Sequence, residues 1–494
     1  MGLGYEAMLH GMNQAWSRRR FLAVGGTALA GLTLPGKVRA TATAGRGPGG
    51  SFWTFRSEPG LYPPSLTVNV RNAPAPGFVF ATTLNGPGQR GQLIFDDAGE
   101  VVWFRPLAGK TEVSLDFRPQ VYLGRPVLTW WEGVVVNGVG EGYAYIVDST
   151  YATVARVAAG NGLMADPHEF LLTPEGTALL TAYHAVPADL SSLGGPVAGM
   201  VYDSVVQEVD VRTGEVLFEW HSLDHVPLTD SFVSAAAVSP FDYFHVNSIG
   251  LDLDGNLVVS ARNTSAIYSL DRKSGAVRWR LGGRSSDFTL GPGAMFMWQH
   301  DARIHPDGTL TLYDDGPSAS SSQSRAIRLG LDLGSMRADL LQAFLHPTPL
   351  LSTAMGNAQV LPGDGMIVGW GTEPYITEFA PTGEVRFDAM FTGGAWNYRA
   401  FRAPWSGTPD TKPLVALARH GGRLDVYASW NGSTETAYWR VEAGGTAATL
   451  APVKTVPRAG FETVIPLAAT AGMVAVSALD GARRVLATSR TIAV

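Results

Sequence analysis

The sequence predicts an all-β fold: a six-bladed β-propeller with an N-terminal extended segment and a small C-terminal β-rich, sandwich-like appendage. Three observations carry this expectation. An outer hairpin of two apolar strands around a turn recurs six times, at LIFDDAGEVVWF (93–104), YIVDSTYATVARV (145–157), EVDVRTGEVLFEW (208–220), SLDRKSGAVRWRL (269–281), GLDLGSMRADLLQAF (330–344) and TEFAPTGEVRFDAM (377–390). A second hairpin precedes four of them, turning at Xaa-Gly: HEFLLTPEGTALLTAY (168–183), NSIGLDLDGNLVVSAR (247–262), HDARIHPDGTLTLYDD (300–315) and NAQVLPGDGMIVGWGT (357–372). Strand alternation and 58 glycines, with few long 3.6-residue periods, argue against a helical solenoid. Two hairpins per repeat make a four-stranded blade. A tandem of β-sandwiches is the competing reading.

Residues 1–44 read as a twin-arginine signal peptide. SRRRFLAVGGTALAGL (17–32) places a twin-arginine run before a moderately apolar Gly/Ala segment. The apolar stretch from Phe21 to Leu34 is too short to span a bilayer comfortably, and ATATA (40–44) offers small residues for cleavage after Ala42 or Ala44. An uncleaved anchor is the alternative. The segment predicts folding before export, a secreted or extracytoplasmic location, and membrane contact only in transit. The chain has no cysteine, so neither disulfides nor thiolate metal sites can form, and stability must come from burial. Removing residues 1–44, which carry a net +4, takes the formal charge from −6 to −10 and argues against nucleic acid as a partner.

Residues 45–77, with GRGPGG and YPP, predict an extended lead-in. Residues 78–405 hold the repeats. After WSGTP (405–409) the pattern is lost, and PLVALAR (413–419), DVYASWNG (425–432), TAYWRV (436–441) and GMVAVSALD (472–480) predict short strands of a C-terminal domain over 406–494. His420, before Gly421-Gly422, reads as a solvated turn residue.

The inner hairpins bring chemistry together. With a two-residue turn at Asp254-Gly255, Asn247 faces Arg262; the same arithmetic pairs His168 with Tyr183 and His300 with Asp315. His168, Asn247, His300 and Asn357 each stand eight positions before a turn glycine, and His245 lies two residues before Asn247 on the same face. Equivalent starts of innermost strands converge on one mouth of the central channel. His168, His245, His300 and Arg262 should therefore share a pocket, whereas His305 points to the opposite face of its strand. A hydrogen-bonded rim histidine is the bland reading of any one of these. An arginine in a narrow channel calls for an anion or a carboxylate, and Asp315 or Asp301 could supply the latter.

At these residues the sequence resembles the arylsulfotransferase family, in its propeller branch that transfers sulfuryl groups without a nucleotide donor. The resemblance runs from SFWTFRSEPGLYPPSL (51–66) to WSGTP; its most specific parts are DPHEF (166–170), FDYFHVNSIGLDLDGNLVVSAR (241–262) and WQHDAR (298–303), with NYRAFRAPW (397–405) as support. It implies that His300 matches the family's sulfated histidine and that His168, His245 and Arg262 match its sulfate-holding residues. The implied activity is sulfuryl transfer from an aryl sulfate donor to a phenolic acceptor, with no cofactor and no metal. The chain departs from the family's bacterial branch in having neither a cysteine pair nor an evident N-terminal β-sandwich, features that bear on dimerisation and acceptor choice; the oligomeric state is not legible. A neutral imidazole is a competent nucleophile, and a phenolate leaves more readily than an alkoxide. Tyr183, Trp298 and Tyr243 stand near the rim as aryl-clamp candidates with core packing as the competing role, and Asn247 and Asn357 are substrate-binding candidates by position alone. Competing readings are a quinone-dependent dehydrogenase, disfavoured by the lack of adjacent cysteines; a calcium-dependent lactonase, which wants channel carboxylates; and a noncatalytic secreted binding propeller.

Overall fold

The computed structural model describes residues 45–47, 50–109, 111–316, 323–468 and 471–494; the expected signal peptide lies outside the described residues. The strands resolve into four-stranded antiparallel meanders that follow one another around a propeller. Unit 2 comprises Val113–Tyr122, Arg125–Val136, Val139–Val147 and Thr153–Val157, and unit 3 comprises Ala165–Leu172, Thr177–Ala188, Gly199–Asp210 and Val216–His221. Unit 4 runs through Val246–Leu251, Leu257–Ala261, Ala266–Leu270 and Val277–Gly282, and unit 5 through His300–Ile304, Thr309–Asp314, Arg325–Asp332 and Arg337–Phe344. Unit 6 holds Asn357–Val360, Met366–Gly369, Tyr375–Phe379 and Val385–Phe391.

The ring closes by joining distant parts of the chain. In unit 1, Ala400–Ala403 is the first strand and pairs with Phe78–Thr83, which continues to Gly91–Phe95 and Val101–Pro106. The lead-in adds a second clasp, because Leu66–Arg71 pairs with Val385–Phe391 as an extra outer strand of unit 6. First strands of consecutive units touch in a closed cycle, from Ala400–Ala403 to Val113–Tyr122 and onward back through Asn357–Val360. Unit 1 therefore faces unit 4 across the channel.

The hairpin arithmetic needs correction. Asp252 N–H donates to the Asn256 carbonyl and Gly255 N–H to the Asp252 carbonyl, with Gly255 at φ 80°: a tight turn followed by a glycine bulge, not a two-residue loop. Leu251 then faces Leu257, one step off the expected register. Further bulges interrupt the first strands beside the channel, between Leu115 and Arg118, Asp166 and Phe170, Val246 and Ser248, and His300 and Arg303. His300 consequently faces Tyr313, not Asp315, and His168 and Asn247 fall inside bulges instead of facing Tyr183 and Arg262. Bulges re-aim side chains, and here they do so at the channel.

Apolar side chains fill the spaces between units: Leu179, Val206, Ile249 and Val259 lie between units 3 and 4, and Val258, Ile267, Leu310 and Ile327 between units 4 and 5. The C-terminal region forms two sheets, Leu414–His420 with Arg423–Ser429 and Glu462–Ala468, and Tyr438–Gly444 with Ala451–Pro457, Met473–Leu479 and two short strands. Leu424, Val426, Trp439, Val441, Ile465 and Val476 pack between them. This part docks on unit 1, where Asn431 exchanges hydrogen bonds with the Phe104 backbone, and on unit 2, where the Tyr151 hydroxyl donates to the Gly432 carbonyl. His420 sits exposed at a turn, its ring 3.8 Å from Asp425. Among the described residues no helix is long and apolar enough to cross a membrane.

Candidate functional site

His168, His245, Arg262 and His300 line one pocket at the channel mouth, a space of about 860 Å³ counted to its open end. The rings of His168 and His245 lie edge to face with centroids 4.7 Å apart. Each of the three histidines is buried and turns Nδ1 to its own aspartate: His168 to Asp166, His245 to Asp242 and His300 to Asp315, all at 2.5 Å. A carboxylate on Nδ1 fixes ring orientation and leaves Nε2 for the pocket.

His300 has a further contact, since the Met355 amide donates to its Nε2 at 3.2 Å. That nitrogen is therefore the unprotonated one. Burial pushes the imidazole well below its usual range, and Arg262, His245 and His168 push it the same way. Burial also drives the Asp315 carboxyl well up, with Arg262 opposing. Both directions disfavour a separated imidazolium and carboxylate, so the pair keeps one proton between Nδ1 and Asp315. Burial lowers His245 too, with Asp242 acting against it.

The Arg262 guanidinium lies over the Trp298 ring, 4.9 Å from its centroid, and donates to the Asn263 side chain and the Thr353 carbonyl. Of the carboxylates considered for it, Asp315 is on His300 and Asp301 bonds Arg303. Two pocket residues hold positive φ, His245 at 57° and Met355 at 68°, as does Trp298 behind Arg262 at 57°. Such conformations cost roughly 1–3 kcal/mol each and persist where the surroundings enforce them.

The other candidates are placed differently. Asn247 is buried and donates to the Gln299 carbonyl of unit 5; Asn357 exchanges two hydrogen bonds with the Ala400 backbone of unit 1. Both stitch neighbouring units and neither lines the pocket. Tyr183 stands behind the imidazoles, its centroid 6.1 Å from those of His168 and His245, and its hydroxyl donates to the Val246 carbonyl. Trp298 acts as a shelf for Arg262, Tyr243 is core with its hydroxyl on the Val226 carbonyl, and His305 bonds Thr311 away from the pocket.

Sequence reasoning missed much of the wall. Leu84, Val113, Leu115, Val135 and Trp396 give it an apolar side, and Arg90, Tyr398 and Met355 add polar or polarisable groups. Val113, Leu115 and Val135 stand on the first two strands of unit 2 and the others on connecting segments, all of them outside the hairpins that the repeats align. Also missed was a buried ionic network deeper in the channel. Arg118 pairs with Asp116 and Glu169, Arg303 with Glu169 and Asp301, and Arg399 with Asp116 and Glu169. Burial would raise Glu169, but Arg118, Arg303 and Arg399 together hold it at about 2. Among the described residues no group of three or more potential ligands is spaced to hold a metal ion.

The model of the family described as Arylsulfotransferase (ASST) matches residues 118–392. No curated protein matches the sequence. Similar solved structures include a protein of unknown function from Bacteroides caccae (14% identity, 66% of this chain and 98% of that one, TM-score 0.40). A protein from Lactobacillus plantarum (15%, 79% and 98%, 0.35) and a catalytically inactive virginiamycin B lyase from Staphylococcus aureus with quinupristin (10%, 74% and 97%, 0.35) are others.

Proposed function

Because the chain belongs to the arylsulfotransferase family, we propose that it moves a sulfuryl group from an aryl sulfate ester to a phenolic acceptor in two half-reactions, with His300 carrying the group between them. The single observation that carries this reading is the convergence of three aspartate-backed histidines and one arginine on a pocket whose lining, among the described residues, includes no carboxylate.

In the first half-reaction the Nε2 lone pair of His300 displaces the Met355 amide contact and attacks sulfur. An N–S bond forms, the S–O bond to the aryl group breaks, and the phenolate departs with the bonding electrons. Charge on the nonbridging oxygens is met by Arg262, whose planar fork suits two oxygens at once. Asp315 offsets the positive charge that grows on the imidazole ring. In the second half-reaction the acceptor oxygen attacks sulfur, the N–S bond breaks, and Nε2 of His245 or His168 takes the phenolic proton. Positioning and charge stabilisation dominate, as in phosphoryl transfer. No cofactor or metal enters these steps. The SRRRFL run supports export by the twin-arginine route, and detection of the mature protein outside the cytoplasm only when both arginines are intact tests that placement.

A second reading, a noncatalytic anion-binding propeller, draws on the Met355 amide that engages Nε2 of His300. Incubation with a chromogenic aryl sulfate and a free phenol separates the two. Sulfuryl transfer predicts acceptor-dependent release of the chromophore by the wild type and none by His300→Ala. Release by neither protein leaves anion binding; equal release by both removes His300 from the chemistry.

A further inference from the structure

Arg262 follows the second strand of unit 4, and its guanidinium lies over the Trp298 ring, 4.9 Å from the centroid. The two residues come from different stretches of chain, since Trp298 stands in the connection from unit 4 to unit 5, two positions before His300. Ser265 ties their backbones together. Its hydroxyl accepts from the Trp298 amide at 3.2 Å and donates to the Arg262 carbonyl at 3.4 Å, while its own amide donates to that carbonyl at 3.0 Å.

The indole is anchored on both sides along the chain. Before it, the Met297 amide donates to the Asp314 carboxylate at 3.0 Å; after it, the Gln299 side chain donates to the Ser260 hydroxyl and to the Ala261 and Ala266 carbonyls of unit 4. Between these anchors Trp298 holds φ at 57°, which a bulky side chain keeps only where its surroundings enforce it. Phe232, from the connection between units 3 and 4, meets the indole edge to face with centroids 6.4 Å apart, and its amide donates to the Asn263 carbonyl. Arg284 lies over the Phe232 ring at 4.3 Å. The stack thus runs Arg284, Phe232, Trp298, Arg262, from an exposed arginine to the pocket.

A guanidinium donates only in its own plane, so a ring on its face fixes the direction of its fork. Arg262 donates to the Asn263 side chain at 3.0 Å and to the Thr353 carbonyl at 3.1 Å. Asn263 also reaches the histidine side of the site, its side chain donating to the Asp242 carbonyl at 2.6 Å while the Asp242 carboxylate bonds Nδ1 of His245. We propose that Trp298 is a positioning residue for oxyanion recognition: with Phe232 behind it, the indole keeps the Arg262 fork aligned for the sulfuryl oxygens, its face occupied by the cation and not offered to the aryl group. Alignment before binding removes the cost of ordering a long side chain when the anion arrives. The sulfuryl group as the natural ligand rests on the transfer reading, but the alignment is a matter of binding alone.

Calorimetric titration of the full-length protein with inorganic sulfate and with benzenesulfonate tests it. Trp298→Leu should weaken both anions by the same factor, about three- to tenfold, the scale of immobilising one rotamer-rich side chain. Trp298→Phe, which keeps a ring face, should recover most of the affinity. Phe232→Leu, at a partly exposed position, should weaken sulfate in the same direction by less. A loss confined to benzenesulfonate would set the indole against the aryl group and overturn the proposal. So would unchanged sulfate affinity in either leucine variant, no sulfate binding by the wild type, or equal losses in Trp298→Leu and Trp298→Phe. Absence of aryl sulfate turnover in the wild type, with these affinity ratios as expected, would instead reject the transfer reading and keep the positioning role.

Discussion

Two stretches of one channel use the same residue types to opposite ends. In the deep stretch Arg118, Arg303 and Arg399 are balanced by Asp116, Glu169 and Asp301 in direct ion pairs. At the mouth, Arg262 and Arg90 share the lining with three histidines, and the aspartates that bond these histidines sit behind the imidazoles on Nδ1, away from the lining. Buried charges that satisfy each other hold a ring together. Positive groups that turn their partners away from a cavity leave it ready for an anion. The same contrast appears one level down, at the equivalent strand positions. Histidine at 168 and 300 opens onto the pocket, while asparagine at 247 and 357 reaches across to the next unit.

Substitutions in the two stretches should separate activity from stability. The largest effect is expected from His300→Ala, which should abolish acceptor-dependent transfer while leaving the denaturation midpoint close to wild type. Glu169→Gln should do the reverse in kind: with three arginines left short of countercharge, unfolding in urea should show a loss of about 3–5 kcal/mol. Little change in stability would mean that the network is not the ring's internal tie. Arg262→Met should lower kcat/KM by about a hundred- to thousandfold, as for loss of one charge-stabilising donor. It should also move the acid limb of the rate profile upward. Arg262 is among the groups that keep the His300 imidazole well below 6.5, so its removal lets that ring protonate at higher pH. An acid limb that stays put would separate the rate loss from His300.

The smallest effect comes from a buried carboxyl outside the channel. Glu58, near the C-terminal sheets, is pushed up to about 7, first by burial, with the Ser429 hydroxyl opposing and Glu462 adding to the rise. Its folded value lies above the ordinary 4.5, so the stability it contributes is present below that pH and is lost as pH rises through about 7. Glu169, held down at about 2, has the opposite sign: its contribution is present above 4.5 and is lost as pH falls through 2. Thermal unfolding between pH 5 and 8 should therefore flatten in Glu58→Gln, and an unchanged slope would count against this assignment.

Much of this arrangement can be read from the chain before any coordinates, because repetition imposes it. The outer hairpins at 93–104 and 269–281 fall on paired strands, and counting back from the turn glycines leads to His168 and His300. The exact cross-strand partners cannot be read this way. A glycine bulge after the turn and a second bulge near the channel each shift register without changing the alternation of apolar residues, which is why Asp315 is not opposite His300 yet still bonds its ring. Two of the aspartate partners do carry a local signal, standing two residues before His168 and three before His245. Arg90 and Met355 carry none, since they come from irregular loops whose path is set by closure of the ring.

The most direct measurement is mass spectrometry of the protein quenched rapidly after mixing with an aryl sulfate in the absence of acceptor, followed by peptide mapping. The account predicts one sulfuryl group per chain, on the peptide containing His300, discharged when a phenol is added. A sulfuryl group on another residue, or chromophore release in step with turnover while His300 stays unmodified at every quench time, would contradict it.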